Sequence, residues 1–326
     1  MDLTTAYLGL TLQNPIVASA SPMTLDLGCI RRIEDVGGAA VVLPSLFEEQ
    51  IEQQTGNAGP AGAAEAFSYM PSAADYRAGP HEYLEILRKA RDAVTIPLIA
   101  SLNGITGAGW TRHARLAQEA GASAIELNVF FIPADPTMTA QEVEARYVEV
   151  LHAVKAAVSI PVSMKLSPYF SAPAHMIRVL ERAGADGFVL FNRFYQPDID
   201  LGTLRLRHTV RLSTPDEIRL PLLWIGALSG QVTSSLAAST GVDSSAEVIK
   251  YLLAGADVVM TTSALLRHGI GHLNMLLAGL REWLKGNDIA SLSDMRGRMS
   301  QRKLKDPVAY ERANYIKILQ SCVFHH

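Results

Sequence analysis

Two residues stand out for the chemistry they could do. Lys165 sits between Met164 and Leu166 in the apolar run Val162 to Leu166, and Asn128 lies near the end of the run Ala124 to Val129. An ammonium among residues that seek burial is costly unless it meets an anion or an electron-rich acceptor. It could hold negative charge that grows on an electron-accepting ring, or form a Schiff base with a carbonyl. The plainer alternative is an ion pair with a structural carboxylate such as Glu126. Phe130 and Phe131 follow Asn128 where a general base would be useful, and phenylalanine cannot take a proton. A second cluster is Ser239-Thr-Gly-Val242 together with Thr261-Thr-Ser-Ala-Leu265. Hydroxyls and amides at helix starts after adjacent strands make an anion cradle, although Ser and Thr are also common helix caps.

These residues need a frame that brings strand ends together. Short β-rich runs recur at Ile16 to Ala20, Ala39 to Leu43, Pro97 to Leu102, Ala124 to Val129, Val162 to Leu166, Gly187 to Asn192, Ser235 to Thr240 and Ala256 to Thr262. Helical stretches separate them. In Tyr83 to Val94, Leu84, Leu87 and Ala90 share one face. Gly121, Gly184 and Gly255 precede Ala where a helix must stop before the next strand. Eight strands alternating with helices predict an α/β fold, a (β/α)8 TIM barrel, whose strands bury both sides and open their C-terminal ends into a shared pocket.

One domain is expected over residues 1–326, with a charged helical extension at 286–326 packed outside the barrel. Two connections are long, 45–80 after the second strand and 193–212 after the sixth. They nominate Ser68-Tyr69-Met70 and Arg193-Phe194-Tyr195-Gln196 as ligand covers, with oligomer contact as the alternative. Ser213-Thr214-Pro215-Asp216-Glu217 is a strong helix start, whereas Pro221, Gly226 and Gly230 argue against an unbroken helix over Leu220 to Val232.

Composition narrows the function classes. A net charge of -3 and a pI near 6.3 give no basic field for nucleic acid or an anionic membrane, so a small-molecule substrate is expected. With only Cys29 and Cys322, no disulfide framework, metal site or iron–sulfur cluster is predicted, and a reducing cytoplasm fits. Cys29 reads as a core residue of the first helix. No secretory leader or membrane-spanning run is expected, and no dinucleotide fingerprint names an electron acceptor. The closing His325-His326 is assigned no function.

In order and spacing, Leu8-Gly-Leu-Thr-Leu-Gln-Asn-Pro-Ile-Val-Ala-Ser-Ala-Ser-Pro22, Ile125-Glu-Leu-Asn128, Met164-Lys-Leu-Ser-Pro-Tyr-Phe170 and Leu190-Phe-Asn192 resemble the dihydroorotate dehydrogenase family, FMN-containing barrels of pyrimidine synthesis. The likeness is to the soluble class 1 branch and its dehydrogenase-like relatives. It implies FMN bound by Ala20, Ser21, Ser45, Asn103, Asn128, Lys165, Asn192, Thr240, Gly241, Thr262 and Ser263. It further implies a catalytic role for Lys165 at the reducible end of the ring, substrate contacts from Asn128, Asn192 and Arg193, and a homodimer.

The chain departs from that pattern. The family's cysteine base in Asn-x-Ser-Cys-Pro-Asn falls at Phe131, and a substrate-binding Asn falls at Pro133. A flavin-contacting lysine falls at Pro44, and an Asn-rich substrate motif reads Phe67-Ser-Tyr-Met-Pro71. The paired glycines have no counterpart around Val210 to Ser213. Tyr195, Asp135 and Tyr169 are candidate replacements for the base. The leading expectation is an FMN-dependent oxidoreductase passing hydride between flavin and a small carbonyl-conjugated compound, dihydroorotate or an analogue. The alternatives are a Schiff-base aldolase using Lys165 and a catalytically weak flavin-binding or regulatory protein.

Overall fold

The computed structural model describes residues 1–47, 50, 79–104, 107–193, 197–207, 211–311, 315, 319 and 320. The chain opens with a hairpin, β1 (Thr5–Tyr7) against β2 (Leu10–Leu12), turning at Leu8 and Gly9, both with positive φ. Tyr7, Leu8 and Leu12 are buried with Val17, Ala40, Ile99, Val189 and Val258, so the hairpin packs against the barrel's inner layer. This element was not expected, because strands of three residues carry too little alternation to register.

Eight parallel strands then close the barrel. They are β3 (Ile16–Ala18), β4 (Ala40–Phe47), β5 (Leu98–Asn103), β6 (Ala124–Asn128), β7 (Val162–Leu166), β8 (Gly187–Leu190), β11 (Ser235–Ala238) and β12 (Val258–Thr261), and β12 pairs back to β3. The predicted (β/α)8 TIM barrel is the observed one, and all eight expected runs are its strands. Their side chains are almost wholly buried on both sides, which is why Val, Ile, Leu and Ala fill them without polar alternation.

Strand β4 runs past its expected end at Leu43. Register with β5 shifts between Val42 and Ser45, and pairing then resumes as Ser45 with Ser101, Leu46 with Leu102 and Phe47 with Asn103. Pro44 lacks an amide to donate, so the strand bulges there, and the bulge re-aims Ser45. The long connection therefore begins beyond Phe47, and its candidate cover, Ser68 to Met70, lies outside the described residues.

The second long connection contains a hairpin where only loop was expected, β9 (Asp198–Asp200) with β10 (Arg205–Arg207). Cross-strand register sets Asp200 against Arg205, opposite charges that favour this pairing.

The helix start at Thr214 forms as read. Pro215–Ile218 is a 3-10 turn closed by a Thr214–Glu217 capping box, and it leads into the helix Arg219–Leu228. The helix stops short of Val232. Gly230 beyond it has φ +76°, and Gly226 inside it admits the Tyr310 hydroxyl, which would lie 2.5 Å from any Cβ.

Two described residues of the expected extension bond to the segment 219–230. Tyr310 donates to the carbonyl of Leu223 at 2.8 Å, and Arg302 to that of Gly230 at 2.6 Å. Cys29 is half-buried against the core on the helix Leu27–Asp35. Among the described residues, no helix is long and apolar enough to cross a membrane, and no group of His, Cys, Asp and Glu could hold a metal.

Candidate active site

Register in a parallel barrel decides which side chains stand level. Asn103 on β5 pairs with Asn128 on β6, and Asn128 pairs with Lys165 on β7, so three polar residues form one tier at the C-terminal ends. Asn192, two residues past β8, joins them: its Nδ2 donates to Asn128 Oδ1 at 2.6 Å. Asn128 Nδ2 donates in turn to Ser45 Oγ at 3.4 Å, and Ser45 Oγ lies 2.8 Å from Ser101 Oγ. This chain of bonds consumes one donor of Asn192 and the acceptor of Asn128. Among the described residues, the Asn192 acceptor and a second Asn128 donor hydrogen remain for a ligand.

Lys165 makes the ion pair named as its plainer alternative. Its Nζ lies 3.6 Å from Glu126 Oε1, with Lys165 12% and Glu126 1% exposed. That separation is an ion contact without a hydrogen bond, and both Glu126 carboxylate oxygens are buried with no hydrogen-bond partner among the described residues. A carboxylate so placed depends on the Lys165 charge. The pair does not withdraw Lys165 from the surface of the site, because Lys165 lines both cavities described next.

One cavity, of about 430 Å³, is bounded by Ala20, Ser21, Ser45, Asn128, Lys165 and Asn192, with Tyr83 and Pro44 at its wall. The other, of about 170 Å³, is bounded by Ser19, Ser213, Thr240, Gly241, Thr262 and Ser263, with Arg193 at its edge. Ala20, Lys165 and Asn192 line both, so the two form one trough across the barrel mouth. Asn103 is level with this tier and nearly buried, but it is not among the residues bounding the trough.

Tyr83 exchanges hydrogen bonds with the backbone of Ser101, its hydroxyl accepting from the amide at 3.1 Å. Burial, reinforced by the charge of Glu126, raises its phenol well above the ordinary range, so it stays protonated and structural.

The smaller cavity is built on constrained backbone. Thr240 has φ +85° and Gly241 φ +75°. For a β-branched residue this is a genuine outlier, of the kind that persists only where the surroundings hold it. Here Tyr251 donates to Thr240 O at 2.8 Å, and Thr240 Oγ1 donates to Phe191 O at 3.3 Å. Gly241 cannot carry a side chain, since a Cβ would fall 2.8 Å from Thr214 O and 3.0 Å from Ile218 N.

Ser213 Oγ accepts from the Gly241 amide at 3.2 Å and donates to Ser263 Oγ at 2.9 Å, tying the two loops together. Thr262 Oγ1 donates to Ser19 O at 3.0 Å and does not cap the helix Ser263–His268. The result is a pocket of hydroxyls and amides at a helix start, suited to an anion. Ser213 was missed as a site residue. Its sequence signal, a Ser before Thr-Pro, reads as helix punctuation, and only the close approach of Ser263 gives it this place.

Arg193 borders the trough with its guanidinium tied back. Nε donates to Glu217 Oε1 at 3.0 Å, and another nitrogen donates to Arg211 O. Of the candidate bases, Tyr195 lies outside the described residues, as do Phe194, Gln196 and the Phe67 to Pro71 motif. Asp135 is exposed, and the hydroxyl and amide of Thr137 hold its carboxyl below the usual range, which makes it a weaker base. Tyr169 is 72% exposed and borders a separate cavity with Phe131.

The family model described as dihydroorotate dehydrogenase matches residues 2–284. The catalytic subunit of an NAD(+)-type dihydroorotate dehydrogenase B from Thermoplasma acidophilum is 22% identical, covering 91% of this chain and 98% of its own. The NAD-dependent dihydropyrimidine dehydrogenase subunit PreA of Escherichia coli (strain K12) is 24% identical over 91% of this chain and 76% of its own. A fumarate-type dihydroorotate dehydrogenase A from Limosilactobacillus reuteri is 26% identical over 78% and 85%. With a parallel barrel, a polar tier at its mouth and a family match over most of its length, the chain belongs to the dihydroorotate dehydrogenase family.

Proposed function

We propose that the trough binds FMN, ring in the larger cavity and phosphate in the smaller, and that the protein is an oxidoreductase acting on a small carbonyl-conjugated compound. The observation that carries this reading is the continuity of the two cavities through Ala20, Lys165 and Asn192, with the Lys165 cation where they join and a hydroxyl-and-amide cradle in the smaller one. The residues fit the group. Ser263 Oγ accepts from the amide and hydroxyl of Ser213, so its own hydrogen is left to donate to an anion, while Gly241 lets the loop pack against Thr214 and Ile218 where a Cβ could not stand. A volume of about 430 Å³ lies within the roughly 300–1,000 Å³ usual for ligand sites.

When bound, FMN supplies hydride exchange with the substrate carbon. The chain's residues do the rest. Lys165 sets a positive charge beside the ring cavity, where charge grows on reduction. Asn128 and Asn192, oriented by the bonds running to Ser45 and Ser101, present amides to the ring or to a substrate carbonyl. Ala20 and Ser21 give backbone along the trough floor. Phe131 accepts no proton, so the proton partner is a group other than the residue at that position. Family membership favours this reading over a Schiff-base aldolase. A homodimer in a reducing cytoplasm completes the proposal, supported by the class 1 likeness and by the two widely spaced cysteines.

The test is spectroscopic. Protein supplied with FMN should show a bound-flavin band that bleaches anaerobically with dihydroorotate, a dihydropyrimidine or another reduced conjugated carbonyl, and Lys165→Ala should slow that bleaching. Protein that takes up no FMN removes the reading. Bound FMN that no such compound reduces would leave a flavin-binding protein without this activity.

A further inference from the structure

Beside the trough, the C-terminal face has another cavity, of about 230 Å³, with a different lining. Phe131 and Pro133 from the loop after β6, Val143 and Tyr147 from the helix Ala140–Ala157, and Ser167 and Phe170 after β7 enclose it. Phe131 and Tyr147 have ring centroids 6.4 Å apart, and Tyr147 meets Phe170 edge-on at 5.1 Å. These separations are those of favourable aromatic pairs. Arg146 stacks over Phe131, 4.6 Å from its centroid, and fixes that ring.

Ile132 and Tyr169, both exposed, form its open rim, and the inner lining brings little acid–base chemistry. The Tyr147 hydroxyl donates to Val129 O at 3.3 Å, and burial pushes its phenol up to about 12. Ser167 Oγ accepts from the Tyr169 amide at 3.1 Å. Apolar cavities of roughly 150 Å³ hold benzene, so this one has room for a substituted six-membered ring or a small bicycle.

Among the described residues it shares no lining residue with the trough, and what sets the two near each other is the chain itself. Ser167 lies two residues beyond Lys165 on the same chain, so their Cα atoms are at most about 7 Å apart. Phe131 follows Asn128, the register partner of Lys165, by three residues.

We propose that this cavity holds an uncharged apolar ring carried by the substrate, whose conjugated carbonyl end reaches toward Lys165. The substrate assignment rests on the redox reading of the trough, whereas ring binding does not. The residues that close the loop after β6 thus select a bulkier and less polar compound than a bare pyrimidine carboxylate, with Phe131 as a specificity-determining residue.

Indole is the probe, followed by saturation-transfer NMR on the full chain and by the absorbance of the FMN-loaded protein. The expected results are saturable binding, at least tenfold weaker in Val143→Phe, which fills the cavity, and weaker in Phe131→Ala, which removes a wall. Lys165→Ala should leave indole binding within twofold, and indole should shift the bound-flavin spectrum. Absence of saturable binding, or wild-type affinity in both cavity variants, overturns the site. Indole bound without a flavin shift overturns the link to the substrate. Normal indole binding by protein that takes up no FMN supports the ring site while removing the flavin reading. Should Val143→Phe fail to fold, Phe131→Ala carries the comparison.

Discussion

Replacing Lys165 with Met keeps the length of the stem and deletes the charge that Glu126 faces. At 3.6 Å and an effective dielectric of about 20, two unit charges attract by roughly 4–5 kcal/mol. Removing one member of a buried pair typically costs about 3–5 kcal/mol, because the other is left uncompensated. Glu126 has no hydrogen bond in reserve among the described residues, so Lys165→Met should lose about 3–5 kcal/mol of folding stability in urea titrations of flavin-free protein. Lys165→Met combined with Glu126→Gln removes both charges and should recover about 2 kcal/mol or more of that loss, an interaction energy a double-mutant cycle reads directly. A Lys165→Met protein within about 1 kcal/mol of wild type, or two additive single changes, would refute the argument that this pair is coupled and buried.

Further perturbations test other parts of the account. Gly241→Ala puts a Cβ against Thr214 O and Ile218 N at positive φ and should destabilise by about 2–4 kcal/mol, from roughly 1–2 for the left-handed backbone and the rest for overpacking. Thermal and urea melts check it, and FMN affinity should fall with stability. Glu181 has its carboxyl pulled below the usual range. Burial raises it, but the amides and hydroxyls of Thr233 and Ser234 outweigh that. A depressed folded value contributes stability that is present above the unfolded value near 4.5 and is lost as pH falls through the folded one. Glu181→Gln should therefore cost stability at pH 7, with a gap from wild type that narrows below the unfolded value in denaturation series across pH. Tyr310→Phe removes the bond to Leu223 O and should cost about 0.5–1.5 kcal/mol in urea titrations, reporting how firmly the extension grips the helix Arg219–Leu228.

The barrel was legible because its strands are buried on both sides, and such strands must be unbroken apolar runs. The eight runs and the glycines at +102°, +102° and +121° that stop the helices before them follow from that one constraint. Asn128 and Lys165 stood out as polar residues at the ends of such runs, and parallel register places them side by side. The contacts between remote segments were hidden. Glu126 could be named as a partner of Lys165, but nothing in local spacing says that its carboxylate lacks any other donor among the described residues. Ser213 looks like helix punctuation until Ser263, fifty residues on, comes to 2.9 Å. The β4 bulge, the two short hairpins and the aromatic cavity around Phe131 depend on packing between elements, which periodicity within one element does not encode.

The central claim is that one trough joins a cationic ring site to an anion cradle, and comparing FMN with riboflavin tests it most directly, because the two differ only in the phosphate. Fluorescence-quenching titrations should show FMN bound at least about 100-fold more tightly, as two charge-assisted hydrogen bonds of roughly 1.5 kcal/mol each would give, with Gly241→Ala erasing most of the difference. Equal affinity for the two compounds, or no binding of either, would contradict the account.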